Sequence, residues 1–411
     1  MILAGLLGCD ASGPATPAPP AGATTTSEVQ ITPEERAALQ ALGYADFSAT
    51  ATEGDRHGVV VHAGPRVQPG YRLYVTPVAC EATLIDDGGG VVRSWRAEPC
   101  EKWSHAQLLP GGDLLVPGRD PREGRGPALQ YLLRLSFTGE VVWKQRVRAH
   151  HDAALRPDGS LLALTSRPRV APEIFRGGPV LDNPILAVSA DGETGAERSL
   201  LDTLAGRDAA CALLPAVANE HGAADLFHTN AIEWVERDDL RAPHPAGDRP
   251  RLLLTLRHQN CVVMLDAESM EVVWEWGRGI LDGPHDATLL ADGNLLVFDN
   301  GMERGWSRVL EIDPRTRELR WEYPGTDDTG FFTPGRGSSQ RLANGNTLIA
   351  ESNAGRAFEI TPEGDVVWEF LNPTIRGDRR ASIIRMIHYE AEFIDPLLAA
   401  DPRRRDSRSG G

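Results

Sequence analysis

Histidines recur at one register of this 411-residue chain. His105 precedes AQLLPGGDLL, His151 precedes DAALRPDGSLL, His228 precedes TNAIEWV and His285 precedes DATLLADGNLL. Each introduces a short apolar strand. Arg257 and His258 follow the strand LLLTL, whose hairpin partner begins near His228. Imidazoles and a guanidinium brought to one place can do three kinds of work. They can bind an oxyanion, the arginine offering a planar fork of donors. They can set one neutral imidazole as nucleophile or base beside groups that stabilise developing charge. They can also hold a metal through nitrogen. The residues alone leave the three open.

The elements that must carry these side chains repeat. A strand closed by an aromatic or its counterpart recurs six times: VVRSW at 91–95, VVWKQ at 141–145, AERSL at 196–200, VVWEW at 272–276, LRWEY at 319–323 and VVWEF at 366–370. Trp95 and Trp143, then Trp274, Trp321 and Trp368, are 47 or 48 residues apart. The longer gap between Trp143 and Trp274 holds the degenerate AERSL unit and an insertion at 201–226. Strand-rich repeats of about 40–50 residues are the mark of propeller blades. The fold class expected is therefore all-β, a six-bladed β-propeller over 61–400. Gly111-Gly112, Asp158-Gly159, Asp292-Gly293 and Asn344-Gly345 supply tight turns between first and second strands. The first unit lacks an innermost strand, and IHYEAEFI at 387–394 is left over. Its pairing with the first unit would close the ring and remove the open edges. The innermost strands then start at one mouth of a central channel, together with their histidines.

On these residues the chain resembles a known family. GPHDATLLADGNLLVFDNG, SRVLEIDPRTRELRWEY and SSQRLANGNTLIAESNAGRAFEITPEGDVVWEF look like the bacterial arylsulfotransferase-related proteins, most densely over 225–375 and more weakly over 70–400. The resemblance implies a six-bladed propeller that moves a sulfuryl group from a phenolic sulfate to another phenol. The implied route is ping-pong, through a sulfated histidine and without a nucleotide cofactor. Carried onto this sequence, it makes His285 the nucleophile, before a strand ending Phe298-Asp299-Asn300-Gly301. It matches His228-Thr229-Asn230 and Leu256-Arg257-His258 to two further motifs, and His151 to an upstream channel histidine for which His150 and His105 compete. His285, His228, Arg257 and His151 are thus the catalytic candidates. Asn230, His258, His105 and Asn300 are the substrate-binding ones. No metal and no cofactor is implied.

A formal charge of −16 argues against a nucleic-acid partner, which requires a basic face. MILAGLLGCD is apolar up to Cys9, and Leu6-Leu7-Gly8-Cys9 resembles a lipobox whose cysteine is lipidated after cleavage. Residues 1–9 then form a signal segment, 10–30 a Pro/Ala/Thr-rich disordered tether, and 401–411 a disordered tail. Thr32, Pro33 and Glu35 start a helix over 31–43, with a polar connection to residue 60. No run of apolar residues is long enough to span a bilayer. The expected location is the bacterial envelope, exported and lipid-anchored at the membrane surface. Cys80 and Cys100 lie on the two arms of one hairpin and are disulfide candidates in an oxidising compartment. The competing reading is a non-catalytic envelope module for binding or assembly, and a third is a metal-dependent hydrolase built on the same histidines.

Overall fold

The computed structural model describes residues 45–401 apart from 52–53, 122–128, 206–212, 215–222, 241–242, 248 and 327–328. Cys9, Cys211, the tether, the helix expected at 31–43 and the tail from 402 lie outside the described residues. The architecture is mostly β. Six antiparallel sheets, each of four or five strands, follow one another along the chain.

The first sheet is Met386–Tyr389, Tyr71–Thr76, Glu81–Asp86 and Val91–Arg96, the C-terminal strand pairing Tyr389 with Tyr71. The second runs from the broken pair Lys102–Trp103 and Gln107–Leu108 through Leu114–Asp120 and Leu129–Leu135 to Val141–Gln145. Ala149–Leu155 opens the third sheet, Thr229–Val235 the fourth, His285–Leu289 the fifth and Ser338–Arg341 the sixth. Middle strands such as Arg251–Leu256 and Leu295–Asp299 are buried on both faces and read as continuous apolar runs.

Two sets of hydrogen bonds tie each sheet to the next. On the inside, Gln107 donates to the Ala153 carbonyl, Ile232 N–H to Asp152, Leu289 N–H to Glu233, Ser339 N–H to Asp286, His388 N–H to Gln340, and Leu108 N–H to the Tyr389 hydroxyl. That circuit returns to its start. On the outside, the indole N–H of each closing tryptophan donates to a carbonyl of the following sheet: Trp95 to Phe137, Trp143 to Ala190, Trp274 to Pro314, Trp321 to Pro362, and Trp368 to Asp87 of the first sheet. In the degenerate third unit Arg198 stands in, donating to the carbonyls of Ala267 and Glu268.

Two features differ from the sequence reading, and the disulfide candidate agrees with it. The leftover segment is a strand only over Met386–Tyr389; Ala391–Ala400 is a helix whose Ile394 and Leu398, one turn apart, bury against the first two sheets. The connection expected before residue 60 supplies strands instead. Gly58–His62 extends the sixth sheet beside Val366–Leu371, and Phe47–Thr50 pairs Arg379–Ala381. Cys80 and Cys100 form a disulfide, and Cys261 is a buried free thiol.

Candidate active site

The histidines stand where their strands are forced out of regular geometry. His151 and His228 have φ of 55° and 45°, and Asp286, next to His285, has 48°. The pairing register slips at the same places, between Ala149 and Ala153, Thr229 and Ala231, and His285 and Thr288. Left-handed backbone at a non-glycine residue costs about 1–3 kcal/mol, and a bulge re-aims the side chain beside it. Three innermost strands carry that strain at one level of the fold. Its result is a chain of imidazoles: ring centroids lie 4.9 Å apart for His150 and His151, 4.9 Å for His151 and His228, and 4.7 Å for His228 and His258.

Hydrogen bonds assign a proton position to most of these rings. His285 Nδ1 lies 2.6 Å from Asn300 Oδ1 and 3.1 Å from the Gly283 carbonyl, both acceptors, so Nδ1 carries the hydrogen. The amide of Asn300 is itself held in that sense, because its Nδ2 donates to the carbonyls of Thr333 and Arg336. The lone pair of His285 is therefore on Nε2, where the Arg336 N–H approaches to 3.2 Å. His150 donates from Nε2 to the Thr165 carbonyl, which leaves its Nδ1 to accept from His151 Nδ1 at 2.7 Å. His151 is then also an Nδ1–H tautomer with a basic Nε2. His258 donates from Nδ1 to the Asp225 carbonyl and accepts at Nε2 from Arg257.

Burial favours the neutral form of four of these rings. It pushes His285 well below the ordinary imidazole value, with the charges of Arg257 and His228 acting in the same direction. Burial, then His228, His150, His285 and Arg336, do the same to His151. His258 is lowered to about 3 and His150 to about 4, again chiefly by burial. Arg257 is buried, with its second nitrogen 3.6 Å from Met302 Sδ. Asn230 donates to the carbonyl of Pro284, beside His285, and its Oδ1 has no partner among the described residues.

The strand end Phe298-Asp299-Asn300-Gly301 explains itself part by part. Phe298 is in the core, and Asp299 pairs with Arg304 and Arg308. Asn300 orients His285. Gly301 has φ of 70°, and a Cβ there would stand 1.9 Å from the Trp306 carbonyl, so no side chain fits.

His105 is not brought into the imidazole chain. It lies in the break of the second sheet's first strand, with Nε2 3.1 Å from Asp152 and 3.2 Å from Arg385. Arg385 also reaches Asp152 at 3.2 Å and Asp286 at 3.1 Å, tying together the residues that follow His151 and His285. His105 thus belongs to a buried ion network on the inner strands, not to a substrate surface. A cavity of about 540 Å³ shares Asp286 and Arg385 with that network but includes none of the imidazoles.

Sequence reasoning missed Asp225, Arg336 and Arg385. Asp225 arrives on the two-residue strand Ala224–Asp225, which pairs in parallel with Val180–Asp182. The one signal for it was its place three residues before His228. Asp225, His228 and His258 each bring a potential ligand atom within 4.8 Å of the others, the geometry a metal would use. Both nitrogens of His258 are already engaged, however, one by the Arg257 guanidinium, and a fixed cation at that distance opposes a dication. The same arrangement suits an anion.

Comparison with known proteins identifies the family. The arylsulfotransferase (ASST) family model matches residues 105–373, more than half of the chain. No curated protein sequence matches. Similar solved structures include a protein of unknown function from Bacteroides caccae (15% identity, 76% of this chain and 97% of that one, TM-score 0.47). A streptogramin B lyase (13%, 82% and 86%, 0.43) and the β-propeller domain of Cps50 (Swd1) from Myceliophteria thermophila (15%, 83% and 89%, 0.41) are further examples.

Proposed function

The chain belongs to the arylsulfotransferase family, and from that premise we propose that it transfers a sulfuryl group from a phenolic sulfate to an acceptor phenol through a sulfated His285. We read its six sheets as the blades of one propeller, closed by the C-terminal strand. The observation that carries the chemical reading is the locked tautomer of His285: Asn300 and Gly283 hold the proton at Nδ1 and leave the lone pair on Nε2, which accepts the Arg336 N–H and gives up that bond to attack.

In the first half-reaction Nε2 of neutral His285 attacks sulfur and the S–O bond to the aryl oxygen breaks. The departing phenolate takes the Nε2 proton of a His228 imidazolium, which becomes neutral with its remaining hydrogen at Nδ1. The N-sulfonated ring is then cationic, and Nδ1–H···O bonds to Asn300 and Gly283 stabilise it. Arg257 meets the sulfuryl oxygens with its planar fork. In the second half-reaction the now neutral His228 takes the proton of the incoming phenol at Nε2, the phenol oxygen attacks sulfur, and the S–N bond to His285 breaks, which restores both rings. All charges are balanced by groups on this chain, and no nucleotide is required. We further propose that the protein is exported and anchored to the cell envelope through a lipid on Cys9, where the Cys80–Cys100 disulfide persists.

The test is incubation of the purified protein with p-nitrophenyl sulfate with and without phenol. Phenol-dependent release of nitrophenol, lost by about 10⁴-fold or more in His285→Ala, is expected. Wild-type protein that releases no nitrophenol would favour the non-catalytic binding module.

A further inference from the structure

We propose that Asp225 is a positioning residue for His228, fixing which nitrogen exchanges protons with the aryl oxygen. This deepens the sulfuryl-transfer reading and rests on it for the chemistry, although the geometry stands alone.

Three oxygens of Asp225 act on the site. Oδ1 accepts the backbone N–H of His228 at 3.1 Å, and Oδ2 lies 2.5 Å from Nδ1 of the same residue. The main-chain carbonyl accepts Nδ1–H of His258 at 2.6 Å. One carboxylate thus grips both the backbone and the ring of His228, which sets its side-chain torsions despite the left-handed backbone at that residue. A charged acceptor on Nδ1 assigns the hydrogen to that nitrogen, so a proton given to or taken from substrate moves at Nε2. Burial alone would raise the Asp225 carboxyl, yet the charges and hydrogen bonds of His228, with His258 and His150 behind, hold it well below the usual carboxylate range. The carboxylate is therefore ionised wherever the enzyme works.

Its surroundings explain why such a group is needed. His228 is faced by His151 and His258, with His150 and His285 close enough to interact electrostatically and Arg257 on the far side of His258. None of these carries a negative charge to stabilise the imidazolium that forms when His228 takes a proton from the acceptor phenol. Asp225 is the anion in direct contact that favours it. The logic is that of a carboxylate orienting a catalytic histidine in acyl transfer, on a segment that pairs in parallel with Val180–Asp182, apart from the six main sheets.

A structural role and a positioning role diverge in leaving-group dependence. General-acid help matters little for nitrophenolate and greatly for unsubstituted phenolate. Asp225→Asn should lower kcat by roughly 10-fold with p-nitrophenyl sulfate and by ~10³-fold with phenyl sulfate, with KM changed little. An equal loss on both donors, or none, overturns the proposal. Should the variant not fold, the wild-type protein still decides. With ¹⁵N-histidine labelling, the His228 resonances, assigned by their loss in His228→Gln, should show a strongly downfield Nδ1–H. A His228 protonated only at Nε2 overturns the assignment. The NMR result is independent of turnover, so an inactive wild type would remove the sulfotransfer reading and leave the Asp225–His228 geometry judged separately.

Discussion

At the scale of single residues, the proposed transfer turns on proton placement. A histidine nucleophile must be neutral, and burial with Arg257 alongside depresses His285 well below its ordinary value. Protonation therefore competes only in acid. The kcat/KM for an aryl sulfate should stay flat as pH falls through about 6.5, the usual imidazole value, and decline only further down. In Arg257→Gln one of the lowering influences is gone, so the acid limb should move upward as the overall rate drops. A wild-type midpoint at or above 6.5, from initial rates across pH, contradicts the assignment. The residues of this chemistry were legible in sequence where they sit on repeated strands: His151, His228, His285, Arg257 and Asn300 all reach the cluster or its immediate support. His105 shares their register yet misses the cluster, because its strand breaks between Trp103 and Gln107 and Asp152 and Arg385 capture the ring. Asp225 and Arg336 come from irregular segments whose approach depends on the finished fold, and no periodicity announces them.

At the scale of elements, five of the six sheets are stapled to the next by one indole. Trp274 is buried and donates to the Pro314 carbonyl. Trp274→Ala should cost about 3–5 kcal/mol, as large-to-small aromatic changes in cores do. Arg198 fills the same place in the third unit from an exposed strand, so Arg198→Ala should cost less than about 1 kcal/mol. Denaturant titration of the two variants checks the ranking, and equal losses would show that the staple, not the burial, carries the energy. The innermost strands add a titratable link at Glu233, which accepts the Leu289 N–H and whose carboxyl burial pushes up to about 8 from 4.5. The folded state then holds a proton that the unfolded chain releases, so stability falls as pH rises from about 4.5 to about 8. Glu233→Gln keeps the acceptor and removes the titration. Its stability relative to wild type should rise across that window, read from melting curves at stepped pH; parallel curves would place the proton elsewhere. The tryptophan period made these sheets readable from the chain. Ala391–Ala400 was not, because IHYEAEFI is as apolar as a strand and the buried spacing of Ile394 and Leu398 lies partly beyond it.

At the scale of the whole molecule, what joins the sheets also builds the site. The inner circuit of hydrogen bonds passes through Asp152 and Asp286, the residues immediately after His151 and His285, and Arg385 from the closing segment bridges both. The C-terminal segment thus completes the first sheet and ties together the turns after His151 and His285. Strand counting alone pointed to that pairing. The roles of Gly58–His62 and Phe47–Thr50 could not be read in the same way, since short edge strands acquire partners only once the other sheets stand. The account as a whole depends on covalent capture of sulfur at one imidazole. Exposing the protein to an aryl sulfate without acceptor, quenching under alkaline conditions and mapping the peptides by mass spectrometry tests it most directly. The account predicts one added sulfuryl group on the peptide containing His285, discharged when phenol is supplied. A protein that turns over aryl sulfate yet carries no adduct, or carries it on another residue, would contradict it.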